Sequence, residues 1–124
     1  MANPNVGTAQ NCYYNNASLS LTTTNATQLV SNAASSGKVY LIDGITVANT
    51  DTANAVTVTV TLFQNASNSG TAYELCPTVA IPPNSSFLAV EKGQGVSLLE
   101  NESIYVTAGT ASRLKVNGFW TELS

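Results

Sequence analysis

Histidine is absent from this 124-residue sequence, and charged side chains are scarce. Without histidine the chain has no Ser-His-Asp or Cys-His catalytic arrangement, no histidine-ligated zinc and no histidine switch near neutral pH. Charged residues make up 9% of the chain, against about 25% in a typical globular protein. The sequence therefore predicts a protein that is not an enzyme and that needs no cofactor or metal.

Basic residues are especially few: Lys and Arg total 4 against 7 Asp and Glu, for a net charge of -3. Nucleic-acid binding requires a basic surface that displaces counterions, so no nucleic-acid partner is expected. Apolar runs span only a few residues, so no membrane partner is expected. The first 16 residues have neither the basic nor the apolar region of a secretory signal, and none is expected there.

Cysteine occurs twice, as Cys12 and Cys76. One interpretation is a single disulfide that closes a long loop. The other is two unrelated thiols in a chain made in a reducing cytoplasm, and the lack of an export signal favours it. Neither cysteine has a neighbour at the C-x-x-C spacing of redox or zinc sites.

Asparagine, threonine and serine take the place of charge, with 14, 16 and 13 copies. Apolar residues still make up 44% of the chain, which is enough for one core and too much for a disordered chain. No apolar periodicity of 3.6 residues is present, so helices are not expected. The sequence predicts one all-β domain.

Two neighbouring runs carry the clearest strand pattern. VTVTVTLF at 56–63 alternates valine and threonine, which indicates a strand with one buried and one solvent-facing side. KVYLIDGITVA at 38–48 has a bulge signal at Asp43-Gly44. Val39, Leu41, Ile45 and Val47 are apolar and occupy alternate positions, so they are expected on one face of the strand. Because turn-forming residues separate the two runs, residues 38–63 predict an antiparallel hairpin.

Short strands separated by Gly, Pro and Asn turns continue to the end of the chain, and Pro77 is expected to end one of them. About eight such strands predict an antiparallel β-sandwich of jelly-roll type, with a small barrel as the alternative. We expect residues 1–17 to form an N-terminal arm and residues 18–124 to form the single sandwich domain. Such an arm suits contact with a neighbouring subunit.

Adjacent aromatic pairs are the main candidates for a binding surface. In a strand, neighbouring residues face opposite sides, so one member of each pair leaves the core. For Phe119-Trp120 we expect Trp120 in the core and Phe119 at an interface. The proposed protein interface consists of Asn3, Pro4, Asn5, Tyr13, Tyr14 and Phe119. The alternative is a carbohydrate site, which would need exposed aromatics beside polar side chains.

Acidic residues offer two weaker alternatives. Glu100 and Glu102 are spaced like a carboxylate pair, but they lie in a turn sequence and a solvated corner is the favoured interpretation. Asp43 and Asp51 could serve a calcium loop, yet two scattered aspartates are more typical of turns. Neither pair is taken as a site.

Five segments in order resemble small β-sandwich virion proteins of tailed bacteriophages. They are ITVANT, AVTVTVTLF, AIPPNSSF, VSLLENESIYVTA and RLKVNGFWTEL, and the stretch that contains them, residues 39–124, is about two thirds of the chain. The resemblance implies a capsid decoration (cement) protein, a homotrimer that binds the major capsid protein or other virion proteins. It also implies a virion location, with assembly in the host cytoplasm. A neck or tail component is the alternative placement, and the first 38 residues match none of these motifs.

Overall fold

A computed structural model describes residues 11–124. The expected interface residues Asn3, Pro4 and Asn5 therefore lie outside the described residues. Within residues 11–124 there are nine strands and one short 3₁₀ turn at Lys92–Gln94. The strands are β1 Cys12–Leu21, β2 Thr27–Asn32, β3 Val39–Asn49, β4 Val56–Phe63, β5 Ala72–Ile81, β6 Ser85–Glu91, β7 Ser97–Leu98, β8 Glu102–Ala108 and β9 Leu114–Leu123.

The strands form two antiparallel sheets packed as a sandwich, which confirms the predicted fold class. The first sheet has the order β1-β9-β3-β6, with β7 also paired to β3, and the second has the order β2-β8-β4-β5. Apart from the two-residue β7, the first strand pairs with the last, the second with the second-last, and so inward along the chain. Strands that alternate between two sheets in this nested order make a jelly roll.

Strand β4 shows why the sandwich forms. Val56, Val58 and Val60 are almost completely buried between the sheets, whereas the threonines between them are partly exposed. The predicted alternation is therefore confirmed, and a period of two places one face of the strand in the core. The facing sheet contributes fully buried side chains such as Val47 and Val116.

The hairpin predicted over residues 38–63 is wrong, because β3 and β4 belong to opposite sheets. Both strands bury one apolar face, and the connection between them crosses from one sheet to the other. β3 pairs instead with β9 and β6, and β4 pairs with β8 and β5. Turn residues between two strands therefore did not distinguish a hairpin from a crossover.

The bulge expected in β3 is present and changes which side chains face the core. The β3–β9 register shifts between Ile42 and Gly44, so the strand reverses its facing there. As a result Ile42 is buried and Leu41 is only partly buried, whereas strict alternation along the strand had placed Leu41 on the buried face.

Pro77 does not end its strand, contrary to prediction, because β5 runs through it from Ala72 to Ile81. The β4–β5 register shifts between Val58 and Val60, and Thr78 has a positive φ of 44°. β5 lies at the edge of its sheet, where a proline without an N–H is tolerated. Here the proline marks a bulge rather than an end.

The boundary expected at residue 17 lies inside β1. Residues 12–17 are paired with β9 in an uninterrupted register that continues to Leu21. The rest of the expected arm, residues 1–10, lies outside the described residues. The paired part was missed because CYYNNA carries no local pattern of burial: its partner strand is about a hundred residues away in the sequence.

Two buried asparagines tie loops to the sandwich. Asn49 Nδ2 donates to the carbonyl of Asn54 at 3.0 Å and to that of Ile81 at 2.9 Å. At the other loop, Asn32 Nδ2 donates to the carbonyl of Lys38 at 2.8 Å. Because buried carbonyls need donors, these side chains replace strand pairing where the chain turns.

Candidate interaction surface

Tyr14 and Phe119 lie on the same outward-facing side of the first sheet, which we call the outer face. Tyr14 is 85% exposed and Phe119 is 46% exposed. In the β1–β9 register, Tyr14 is opposite Thr121 and Phe119 is opposite Asn16. The two aromatic side chains are therefore on adjacent strands, two residues apart along the strand direction. Two of the predicted interface residues are thus brought together.

Around these aromatics the outer face is polar, with most side chains bonded to one another. Ser18 Oγ donates to Asn117 Oδ1 at 2.6 Å. Lys115 Nζ donates to Ser20 Oγ at 2.6 Å. Such cross-strand pairs satisfy polar groups within the sheet, so a partner covering this face would desolvate few charges.

Tyr13 lies on the opposite side of β1 from Tyr14, as expected for neighbouring residues in a strand. It is 58% exposed and shares a row with Glu122 of β9 and Tyr40 of β3. The ring of Tyr40 stacks on Trp120, with centroids 6.1 Å apart. Trp120 is partly buried against the core, as expected.

Glu122 links three strand ends beside these rings. Lys38 Nζ lies 2.7 Å from Glu122 Oε1, and Asn15 Nδ2 donates to Glu122 Oε2 at 3.1 Å. The hydrogen bond and charge of Glu122 raise the pKa of Lys38. Burial raises the pKa of Tyr40, and Glu122 adds to this. We call Tyr13, Asn15, Lys38, Tyr40, Trp120 and Glu122 the strand-end cluster.

Sequence reasoning missed the strand-end cluster. Asn15 and Glu122 are 107 residues apart in the chain, and no local motif relates them. Only the pairing of the first strand with the last brings them together. The cluster could have been predicted only from the jelly-roll topology, in which the first strand pairs with the last.

The acidic residues weighed as sites have structural roles instead. Glu102 Oε1 accepts the N–H of Leu99 at 2.7 Å, and Glu100 Oε2 accepts that of Gly37 at 3.2 Å. Within residues 11–124 no group of three metal-ligating side chains is present. In the same part of the chain, no helix is long and apolar enough to cross a membrane.

The two aspartates lie in separate hydrogen-bond networks. Asp43 Oδ2 accepts a hydrogen bond from Thr121 Oγ1 at 2.8 Å on the outer face. Asp51 Oδ1 accepts the backbone N–H of Ala53 at 2.8 Å and that of Asn54 at 3.0 Å, which lowers the pKa of the Asp51 carboxyl. These are turn and sheet contacts rather than a shared ion site.

Both cysteines are free thiols. Cys12 is exposed on β1 of the first sheet, and Cys76 is buried on β5 of the second. Burial raises the pKa of the Cys76 thiol, which keeps it protonated and unreactive at neutral pH. The structure therefore contains the two unrelated thiols rather than the loop-closing disulfide.

Fold and surface together define a jelly-roll sandwich with an aromatic and otherwise polar outer face. No protein-family model and no curated protein matches the sequence. The chain is similar to solved structures, among them three with 6–18% sequence identity.

A chain from Bacillus endospore appendages, described as disulfide-linked pili, has a TM-score of 0.50 and 14% identity, covering 91% of this chain and 88% of that chain. A chain of the infectious bursal disease virus (IBDV) T13 particle has a TM-score of 0.50 and 6% identity, covering 93% and 31% respectively. A cyanophage Pam1 capsid chain has a TM-score of 0.46 and 18% identity, covering 99% and 91%. This last score is below the 0.5 that indicates a shared fold.

These likenesses concern the fold alone. The chain spans about a third of the IBDV chain and most of the pilus chain. The structural result is therefore that one compact jelly roll accounts for the described chain, in the arrangement that also occurs in those two assembly-forming proteins.

Proposed function

We propose that this chain is a structural protein of a virion, and more specifically a decoration protein that binds and stabilises the shell. Its partner would be the major capsid protein or another virion protein. A neck or tail position is the alternative placement for the same kind of subunit. Binding would rest on buried surface and on no catalytic chemistry.

One observation carries the proposal: a minimal jelly roll presents exposed aromatics on a sheet face with few charges. Jelly rolls are common in viral capsids, although lectins and cupins also use them. Tyr14 and Phe119 can supply rigid apolar contacts, and aromatic residues are enriched at interface hot spots. The similarity to the IBDV and Bacillus chains supports a role as a structural subunit, since viral particles and pili are both assemblies of many subunits.

Co-sedimentation with capsid shells tests the proposal. Shells assembled from the major capsid protein of the same genome are mixed with the purified chain and pelleted. We expect the chain to pellet with the shells and a Tyr14→Ser/Phe119→Ser variant to stay in the supernatant. Tyr73→Ser is the matched control, because Tyr73 is 53% exposed but lies on the second sheet.

Two results would contradict this proposal. One is a wild-type chain that never pellets with shells, tubes or tails from the same genome. The other is equal loss of binding in the Tyr73→Ser control, which would indicate non-specific adhesion. Light scattering on the free chain tests the implied trimer separately, through a mass that is a multiple of three chains.

The strand-end cluster favours carbohydrate binding as a second candidate. It places an exposed tyrosine beside stacked aromatic rings and an acid–amide–amine group, the mixture found in sugar sites. Removing residues 1–10 separates the two candidates: it should abolish shell binding and leave binding to a glycan array intact.

A further inference from the structure

The outer edge of β1 is open within the part of the chain that the structure describes. Among residues 11–124, β1 ends the order of the first sheet and pairs only with β9. All ten of its residues, from Cys12 to Leu21, keep one register without a bulge. A long and regular edge strand is a ready template for another strand.

The direction of the free backbone groups follows from one hydrogen-bonded pair. Asn11 and Ser124 exchange both N–H to carbonyl bonds at 3.0 Å. Because such pairs alternate along an antiparallel ladder, the odd-numbered residues of β1 bond to β9. The N–H and C=O groups of even-numbered residues therefore point away from the sheet. These residues are Cys12, Tyr14, Asn16, Ser18 and Ser20.

The other three edges are interrupted in ways that discourage pairing. β5 contains Pro77 and two register shifts. β2 is six residues long and bulged after Gln28. β6 has a register shift against β3 and ends in the charged Glu91. Proline, bulges, short length and charge are the usual protections of a sheet edge, and β1 has none of them.

We infer that β1 is an interface that pairs antiparallel with β1 of a second copy of this chain, about a two-fold axis at Asn16. Pairing centred there overlaps the whole strand and places each even-numbered residue opposite another even-numbered residue. The free N–H and C=O groups of one copy then meet those of the other. This inference does not depend on the capsid role proposed above.

Side chains on both surfaces agree with that register. Tyr13, which is largely exposed, comes opposite the partly buried Leu19 of the second copy, an aromatic–aliphatic pair of the kind that stabilises sheets. On the outer face, Tyr14 comes opposite Ser18. The strand sequence CYYNNASLSL contains no charged residue, so no like charges oppose the pairing of identical strands.

Proline at position 16 tests the interface. The Asn16 N–H points outward, so Asn16→Pro removes a donor from the proposed interface and none from the β1–β9 ladder. We expect light scattering to give the wild-type chain a mass that is an even number of chains. Asn16→Pro should halve that mass, whereas Asn16→Thr, which keeps the N–H, should not change it.

Cysteines introduced one at a time test the register without relying on the proline variant, since the remaining Cys76 is buried. In a Cys12→Ser background, Asn16→Cys places two thiols across the axis, where antiparallel Cα atoms are about 5.5 Å apart, within disulfide range. Ser18→Cys is the matched control on the same face, because its own symmetry mate is four residues farther along. After mild oxidation we expect a cross-linked dimer from Asn16→Cys and little from Ser18→Cys.

Three results would overturn the inference. The first is a wild-type mass of one chain at the highest concentration. The second is an oligomer whose mass is unchanged in Asn16→Pro and which gives no cross-linked dimer after oxidation of the Asn16→Cys variant. The third is more cross-linking through Ser18→Cys than through Asn16→Cys. These measurements need no capsid protein. The β1 interface can therefore be refuted while the chain still binds shells, and shell binding can be refuted while the β1 interface is confirmed.

Discussion

Individual polar side chains hold this sandwich together at its loops. Asn49 is the last residue of β3 and Asp51 lies two residues later, and the two act as a unit, since Asn49 Oδ1 accepts the N–H of Asp51 at 2.9 Å. Asparagine is so frequent in the sequence that composition alone does not distinguish these buried anchors from the many exposed copies.

Asn49→Ala should destabilise the fold. The substitution leaves the carbonyls of Asn54 and Ile81 without their donor in a buried site, so the free energy of unfolding should fall by about 1–3 kcal/mol. Urea titration followed by tryptophan fluorescence would measure the change. Asn68→Ala, at an exposed loop position, is the control and should be nearly neutral; equal losses in both would refute an anchoring role for Asn49.

Asp51→Asn should remove part of the acid sensitivity of the fold. The lowered pKa means that the folded carboxyl releases its proton more readily than the unfolded one, whose ordinary value is 3.8. Its stabilisation is therefore present above that pH and is lost as the pH falls through the folded pKa. Melting temperatures at pH 7 and pH 3 should differ less for the variant than for the wild type.

Arg113→Gln supplies the comparison for that experiment. The Arg113 Nε lies 3.5 Å from Asp51 Oδ2, and its side chain is about half exposed, so water screens the pair. The pH dependence should remain close to that of the wild type. A larger effect of Arg113→Gln than of Asp51→Asn would show that the ion pair, rather than the backbone N–H bonds, holds the carboxylate.

At the scale of the strands, periodicity was a sound guide to burial and a poor guide to pairing. The valines of β4 are buried as their alternation predicts, whereas β8 buries four consecutive residues, Ser103, Ile104, Tyr105 and Val106. The neighbours of each strand depend on contacts between distant segments, so the 38–63 hairpin was wrong. Likewise β1 has a single buried residue, Leu21, and its strand character comes from pairing with the backbone of β9.

A matched pair of substitutions in β4 tests the two faces directly. Val60→Thr places a hydroxyl in the core and should lower the free energy of unfolding by about 1–3 kcal/mol. Thr61→Val, one residue farther on the partly exposed face, should change it by at most about 0.5 kcal/mol. Chemical denaturation of both variants gives the comparison, and similar losses would mean that both faces are covered.

For the whole molecule, the lack of histidine predicts a broad pH plateau of stability. The shifted groups of the described residues all titrate outside the neutral range: Asp51 below 3.8, and Cys76, Tyr40 and Lys38 above 9.0, 10.0 and 10.5. Raised pKa values keep these three groups protonated in the fold, so their stabilisation is lost only in alkali.

The melting temperature should therefore be nearly constant from pH 6 to pH 8 and should decline on either side. Differential scanning calorimetry across pH 3 to pH 10.5 would measure this profile. A step near pH 6.5 would contradict the prediction, because the sequence has no histidine to produce one.

The bonded pair Asn11–Ser124 also fixes where the chain enters and leaves the sandwich. Asn11 and Ser124 therefore lie side by side at one corner of the sandwich. A fluorescent protein fused after Ser124 would therefore be displayed at this corner, and a short linker from Ser124 to Asn11 would allow the chain to be circularly permuted at an exposed loop.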